Sequence, residues 1–156
     1  MTMFKKTFLI FVFLFITSCG YEAMHSIKNL SKYDFSIESI NLSGDRDVNL
    51  AIEQRINNYK LDKKSRQFTL NINTSSTKET LAKNTAGDPT SFENTTSIDV
   101  QVYMADDLKG TFKIEKKFKY NNISNKFDLD NYEQSLKQNL AETITNELLF
   151  KLSNFR

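Results

Sequence analysis

The chain of 156 residues carries 21 Lys and Arg against 19 Asp and Glu, a formal net charge of +2. Two of the basic residues, Lys5 and Lys6, precede an apolar N-terminal run, and without them the two signs balance at 19 each (21 − 2 = 19). A balanced charge argues against a general nucleic-acid-binding protein, which normally shows a basic excess. The single cysteine excludes an internal disulfide bond.

The N-terminus has the pattern of a secretory signal. Lys5 and Lys6 are followed by nine consecutive apolar residues, Phe8 to Ile16. This run is too short to span a bilayer as a helix, which needs about 20 residues. The segment "ITSC", ending at Cys19, matches the bacterial lipobox, in which an aliphatic residue and two small residues precede a cysteine. We therefore expect cleavage before Cys19, lipidation of its sulfur and acylation of its new amino group. The alternative is a free thiol after an ordinary signal peptide or a short anchor helix.

This interpretation divides the chain into three parts. Residues 1–18 are predicted to be a lipoprotein signal peptide, residues 19–33 a lipidated N-terminus and tether, and residues 34–156 a single domain. Several acyl chains hold a protein on a membrane almost permanently, because each buried methylene contributes about 0.8 kcal/mol. Aspartate after the lipidated cysteine favours retention in the inner membrane of many bacteria, and Gly20 stands there in this chain. We expect an outer-membrane protein that is lipid-anchored and faces the periplasm.

The domain is predicted to begin with a strand that carries an irregularity. Phe35 and Ile37 alternate with polar residues, as a half-buried strand requires. Ile40 and Leu42 continue the alternation in the opposite phase. The change of phase predicts a β-bulge or a strand end near Glu38.

A helix and three more strands are expected next. Asp45 or Asp47 can cap the helix, which should end near Lys60. Its expected apolar face comprises Val48, Ala51, Ile52, Ile56 and Tyr59. Alternating apolar residues then predict strands through Phe68–Thr74, Thr96–Met104 and Phe112–Tyr120.

Two connections and a final helix complete the expected fold. Residues 82–91 hold the only proline and predict a loop, and "ADDLKG" predicts a hairpin turn in which Gly110 supplies the permissive backbone. Asp130, with Glu133 three residues later, resembles a capping box at the start of the last helix. The order β-α-β-β-β-α predicts an α+β fold. We expect a two-layer sandwich with a four-stranded, mostly antiparallel sheet and both helices packed on one face.

The sequence offers few groups for catalysis. The one histidine, His25, lies in the expected tether, and no cluster of His and Cys has the spacing of metal ligands. Three acidic pairs could serve glycoside hydrolysis, but helix caps and turns demand such residues too. The pairs are Asp45 with Asp47, Asp106 with Asp107, and Asp128 with Asp130. We expect no enzymatic activity, no metal and no cofactor.

Basic residues on the last strand are candidates for binding. Lys113, Lys117 and Lys119 share one face of that strand with Glu115. They could contact phosphates, or they could form an ordinary solvated face. Lys116 interrupts the opposite, apolar face, as an inward lysine does where it protects an edge strand from pairing.

The end of the last helix is a candidate for contact with a partner protein. Beyond Thr145 its apolar residues spread nearly all round the helix and include Leu149 and Phe150. Either these side chains are buried between the sheet and a loop, or they form an apolar surface kept for a partner.

The order and spacing of these segments resemble the LPS-assembly lipoprotein family LptE over nearly the whole mature chain. The resemblance rests on "CGY" at the lipidation site, "FSIESINLSGDRDVNLAIEQRI", "FTLNINTSS", "TTSIDVQVYM", "FKIEKKFKYNN" and "FDLDNYEQSLKQNLAETITNELLFKL". Relatives commonly have an aromatic-x-Pro-Leu or similar turn after the cysteine, which "YEAM" in this chain lacks.

The resemblance implies a function without catalysis. Members of the family plug the lumen of the LptD β-barrel in the outer membrane, support assembly of that barrel and help deliver lipopolysaccharide to the outer leaflet. Basic residues between the second and third strands and before the last helix are implicated in contacting lipopolysaccharide, and Lys83 and Lys126 match those positions here. The expected partners are an LptD-type barrel, lipopolysaccharide and, through the lipid anchor, the membrane. The alternative is a non-enzymatic envelope lipoprotein that acts as a scaffold or peptidoglycan-binding adaptor for another assembly.

Overall fold

The computed structural model describes residues 33–60 and 63–155. They form a sheet of four strands with two helices against one face, and the element order β-α-β-β-β-α and the two-layer α+β architecture are confirmed. The elements are β1 (Phe35–Gly44), α1 (Arg46–Ile56, continued by a 3-10 turn at Asn57–Tyr59), β2 (Arg66–Lys83), β3 (Pro89–Met104), β4 (Asp107–Asn121) and α2 (Lys126–Ser153).

The sheet has the strand order β1-β2-β3-β4 and is mixed. β1 and β2 pair in parallel across the α1 crossover, and β2, β3 and β4 pair antiparallel. The register of β1 against β2 shifts between Ile37 and Ser39, so the irregularity expected near Glu38 is confirmed. β4 lies at an edge of the sheet, as Lys116 indicated.

Strands β2, β3 and β4 continue beyond the end of β1. β1 ends at Gly44, opposite Thr74, whereas β2 runs on to Lys83. We call the rows where all four strands pair the four-stranded part. The continuation is the three-stranded extension, formed by 75–83 of β2, 89–97 of β3 and 115–121 of β4.

The connection between β2 and β3 is shorter than expected, so the predicted loop 82–91 is wrong at both ends. The strands pair as far as Lys83 and Pro89. Asn84 Oδ1 accepts hydrogen bonds from the backbone N–H of Ala86 at 3.0 Å and of Asp88 at 2.9 Å. The side chain of Asn84 therefore closes the turn locally, and Gly87, with φ of 92°, supplies its left-handed residue.

The hairpin turn between β3 and β4 also differs from the prediction. Ala105 and Asp106 take the left-handed backbone, with φ of 49° and 68°. Gly110 lies within β4 opposite Val102, so its assignment to the turn was wrong. A Cβ atom at this glycine would lie 2.9 Å from Cζ of Phe155, so the missing side chain makes room for that ring.

Each helix begins at a side-chain cap. Asp45 caps α1, as expected, and its Oδ1 accepts from the backbone N–H of Asp47 and of Val48 at 3.0 Å each. Asn125 caps α2, so the expected start at Asp130 was wrong. The extended backbone of Asn125 lets its side-chain oxygen accept from the backbone N–H groups of Phe127 and Asp128. The helix therefore begins more than one turn earlier than expected.

The buried apolar side chains form two clusters of unequal depth. The larger cluster lies under the four-stranded part and includes both helices, and most of its members are completely buried. The smaller cluster lies under the three-stranded extension and comprises Phe92, Tyr120, Leu136 and Leu140, with Leu129 against it.

A polar seam of Thr74, Ser76, Asn94 and Thr96 separates the two clusters on the helix-facing side. Asn94 Oδ1 accepts from the hydroxyls of Ser76 and Thr96, each at 3.3 Å. The hydroxyl of Thr74 lies 2.7 Å from Oδ1 of Asn49 on α1. The seam is hydrogen-bonded, as buried polar groups must be, and it ends the deep core.

Candidate functional site

The two lysines expected to contact lipopolysaccharide lie at one end of the molecule, which we call the tip. Lys83 pairs with Pro89 at the last rung of the extension. Asn122 donates from its backbone N–H to Thr90 at 2.9 Å and from its side chain to the carbonyl of Pro89 at 2.8 Å. These bonds hold the chain that leads into α2 against the start of β3, and Lys126 is the first residue of α2. Both lysines are exposed.

Exposed apolar side chains accompany these lysines. Leu81 precedes Lys83 by two residues, and Phe127 follows Lys126 directly with 71% of its surface exposed. Phe118 is also exposed on the extension, but it lies opposite Asn94 and in the row of Lys78, five residues short of Lys83. Apolar groups beside cations suit an amphiphile with an anionic head. The sequence analysis did not predict the apolar side chains at the tip. Leu81, near Lys83, and Phe127, next to Lys126, were the signal for them.

A hydrogen-bonded network fixes the start of α2 above the extension. Glu133 Oε1 accepts from the hydroxyl of Tyr120 at 2.9 Å and from the ammonium of Lys78. The same ammonium lies 4.0 Å from the ring centroid of Phe92. Burial, together with the hydrogen bond and charge of Glu133, raises the pKa of Tyr120 above its ordinary value. The tyrosine therefore stays a neutral donor, and the network positions the tip.

The alternative basic patch is an ion-pair network. Lys113 lies 3.1 Å from Glu115, Lys117 lies 3.6 Å from Glu93, and Lys119 lies 3.7 Å from Glu93. The hydrogen bond from Lys113 and the charges of Lys113 and Lys117 lower the pKa of Glu115. Three lysines are thus offset by two glutamates, which leaves this patch less cationic than the sequence indicated.

The apolar end of α2 divides between core and surface. Leu149 is 4% exposed and belongs to the larger cluster, so its predicted role as a partner contact has no exposed surface to support it. Phe150 is 61% exposed. One helical step separates the two residues, and it turns one side chain inward and the other outward.

The acidic pair at the start of α1 is a structural junction between the helices. The ammonium of Lys137 on α2 lies 3.3 Å from Oδ2 of Asp45 and 3.2 Å from Oδ2 of Asp47. Burial lowers the pKa of Lys137, but the hydrogen bonds and charges of the two aspartates outweigh it, and the net pKa is raised. In residues 33–60 and 63–155, no three His, Cys, Asp or Glu side chains are grouped to hold a metal ion.

Two further points concern the membrane. Cys19, the predicted lipidation site, lies outside the described residues, as do the expected signal peptide and nearly all of the tether. Within the part of the chain that the structure describes, no helix is both long and apolar enough to cross a bilayer.

Comparisons with known proteins show a likeness in fold. No family model and no curated protein sequence matches the chain. The structure of rare lipoprotein B from Shewanella oneidensis superposes with a TM-score of 0.54 at 15% identity, over 74% of this chain and 97% of that chain. Lipoprotein B from Nitrosomonas europaea superposes with a TM-score of 0.57 at 12% identity, over 79% and 87%. A lipoprotein from Caulobacter crescentus gives 0.52 at 13% identity, over 81% and 91%. The chain thus shares its α+β fold with these bacterial lipoproteins.

Proposed function

We propose that this protein is an outer-membrane lipoprotein, anchored through Cys19, that plugs and supports the assembly of an LptD-type β-barrel and assists lipopolysaccharide transport to the outer leaflet. The observation that carries the proposal is the tip. It brings Lys83 and Lys126, which are 43 positions apart in the chain (126 − 83 = 43), to one end of the sheet beside exposed apolar side chains. The fold shared with rare lipoprotein B and the lipobox at Cys19 support it.

The tip has the chemistry that lipopolysaccharide requires. Its lipid A head carries phosphates, which lysines meet as point charges. Its acyl chains need apolar contacts, which Leu81 and Phe127 offer. A lipid with both features would contact both halves of the tip at once.

The remaining surface suits a plug. The lumen of a large outer-membrane barrel is polar and filled with water. The open sheet face, on the side away from the helices, carries polar side chains along all four strands, which such a lumen would accept. Phe150, exposed near the C-terminal end of α2, is the residue that we assign to the contact with the barrel.

Charge reversal at the tip tests the lipid contact. The variant Lys83→Glu/Lys126→Glu should lose lipopolysaccharide binding, because attraction to the phosphates becomes repulsion, and the residual binding should depend less on salt. Binding of the mature lipidated protein is measured at about 50 and about 200 mM salt. Lys113→Glu/Lys117→Glu is the matched control, with the same change in net charge on the open sheet face.

The outcomes separate the two lysine groups and the barrel partner. Loss of binding in the control alone would move the site to the sheet face, and full binding in both variants would remove direct lipopolysaccharide contact. Purification of the lipidated protein from outer membranes should recover a large barrel protein. Recovery of murein or of another assembly instead would favour the adaptor role.

A further inference from the structure

The first ten residues of α2 make few buried contacts with the rest of the protein. No side chain of residues 126–135 is fully buried, whereas the helix buries eight side chains from Leu136 to Leu152. Only Leu129 and Glu133 are even partly buried in this segment, which we call the strap. A segment with so few buried apolar contacts opens locally at a lower cost in free energy than the core does.

The strap is fastened to the protein at both ends. Before it, Asn122 bonds to the start of β3, and Asn125 caps the helix. After it, Leu136 and Leu140 are buried in the smaller cluster. The strap therefore has the geometry to lift from the extension while the chain on either side of it stays in place.

A polar latch holds the middle of the strap on the extension. Glu133 Oε1 accepts from the hydroxyl of Tyr120 at 2.9 Å and from the ammonium of Lys78. The ring of Tyr132 adds a contact with the ring of Tyr120, at 5.6 Å between centroids. The side chains of Lys78 and Glu133 are 37% and 20% exposed, so water screens their ion pair and limits what it contributes to stability.

The strap covers an apolar floor with a cation at its edge. The rings of Phe92 and Tyr120 lie 5.6 Å apart in the smaller cluster, with Leu129 of the strap packed against that cluster. The ammonium of Lys78 lies 4.0 Å from the ring centroid of Phe92. In the latched state this ammonium is paired with Glu133, and opening the strap would separate the pair. The open site would then offer two aromatic rings beside a cation, which suits an anionic amphiphile.

We propose that the strap is a lid that opens to admit one acyl chain of the lipid bound at the tip. The acyl chain would lie on the rings of Phe92 and Tyr120, and Lys78 would meet a phosphate of the same lipid. The occupant follows from position, because the strap begins at the tip with Lys126 and the exposed Phe127. The proposal rests on the lipopolysaccharide contact of the proposed function and adds to it a site for an acyl chain.

Paired substitutions at Gln134 test the opening of the strap. This side chain is exposed, and glycine is less favourable than alanine in a helix, so Gln134→Gly should open about fivefold more often than Gln134→Ala. Hydrogen exchange of the backbone amides of 129–135 in the mature lipidated protein measures the opening. We expect these amides to exchange faster than those of 140–152 in the parent, and the two variants to differ about fivefold.

The affinity for lipopolysaccharide should follow the opening. A ligand that binds only the open state has an apparent affinity proportional to the open fraction. Gln134→Gly should therefore bind lipopolysaccharide about fivefold more tightly than Gln134→Ala. Fully deacylated lipopolysaccharide, which keeps its phosphates, should bind both variants equally.

Thr143 provides the matched control pair. It is exposed on the same helix, next to the fully buried Ile144 of the larger cluster. Thr143→Gly should melt at a lower temperature than Thr143→Ala, because glycine destabilises the helix there too. The two control variants should bind lipopolysaccharide equally, since neither changes the strap.

Variants of the latch separate the lid from a purely structural ion pair. Glu133→Gln should raise the affinity for lipopolysaccharide by about two- to fivefold, because it removes the charge that holds Lys78. Lys78→Met also breaks the latch and keeps an apolar side chain, but it should give no gain, because the cation is lost. If Glu133 only stabilised the fold, neither variant would bind lipopolysaccharide more tightly than the parent.

Three results would overturn the proposal. They are equal lipopolysaccharide affinity in the two Gln134 variants, an equal difference with the deacylated form, or exchange of amides 129–135 only at the rate of global unfolding. With any of them, binding by the parent that depends on Lys83 and Lys126 would leave the proposed function standing. Failure of the proposed function has a different signature, which is full binding in Lys83→Glu/Lys126→Glu. Absence of binding in the parent would overturn both.

Discussion

The four-stranded part and the three-stranded extension use the same strands for different purposes. In the four-stranded part, Ile72, Ile98 and Ile114 of β2, β3 and β4 are buried beneath the helices. A few residues farther along, the same helix-facing positions hold Lys78 and Asn94. Backbone hydrogen bonds continue from one part to the next without a continuous apolar core. The extension is therefore free to expose side chains that a core would exclude.

The open face of the sheet, away from the helices, also differs between the two parts. The four-stranded part presents neutral amides such as Asn71 and Gln101, and the extension presents the ion pairs of Glu93 with Lys117 and Lys119. The comparison teaches that one sheet can offer two kinds of surface, one with a row of amides over the deep core and one dominated by ion pairs toward the tip.

The largest expected effect comes from truncating buried side chains of α2, one in the larger cluster and one in the smaller cluster. Ile144→Ala should lower the free energy of unfolding by about 3–4 kcal/mol, because this fully buried side chain leaves a cavity in the larger cluster. Leu136→Ala should cost about 2 kcal/mol, because its side chain lies at the rim of the smaller cluster, where water and neighbours fill the space. Urea denaturation measures both. Equal costs would mean that the extension holds a core as deep as that of the four-stranded part.

A smaller effect, dependent on pH, is expected from Tyr120 in the extension. Tyr120→Phe removes the hydrogen bond to Glu133 and should cost about 1 kcal/mol near neutral pH. Because the folded pKa is raised above the unfolded value of 10.0, the folded state keeps a proton that the unfolded state loses as pH rises past 10.0. The unfolding free energy of the parent should therefore fall in alkali.

The phenylalanine variant should show a shallower fall, since it has no proton to lose at this position. The difference between parent and variant, followed by chemical denaturation from neutral to alkaline pH, isolates Tyr120 from the other titrating groups. Parallel curves would contradict the raised pKa.

The smallest expected effect concerns ion pairs near the border between the two parts. Lys137→Ala removes the contacts with Asp45 and Asp47 and should cost about 1 kcal/mol or less, with the difference shrinking as salt is added. The control, Lys113→Ala, breaks an exposed pair with Glu115 and should be nearly neutral. Thermal melting at two salt concentrations compares them. A larger loss of stability in Lys113→Ala than in Lys137→Ala would mean that the exposed pair with Glu115 stabilises the fold more than the contacts of Lys137 with Asp45 and Asp47.

Much of the fold could be predicted from periodicity alone. The types and order of the elements, the irregularity near Glu38 and the cap at Asp45 all depend on residues close together in the chain. Local signals suffice there, because alternation and capping act over a few residues. The cap of α2 was missed because two local signals competed, and Asn125 acts before the capping-box pattern at Asp130 begins.

The sequence by itself determined the element order, the charge balance, the lipobox pattern and the two apolar helix faces. Only the tertiary structure decided how far β2, β3 and β4 extend, because pairing with neighbours holds even the polar segment "TSSTKETLAK" in a strand. It also decided that Leu149 is core while Phe150 is surface, and that Lys83 and Lys126 share one end. These outcomes depend on contacts between residues tens of positions apart, which no local pattern encodes.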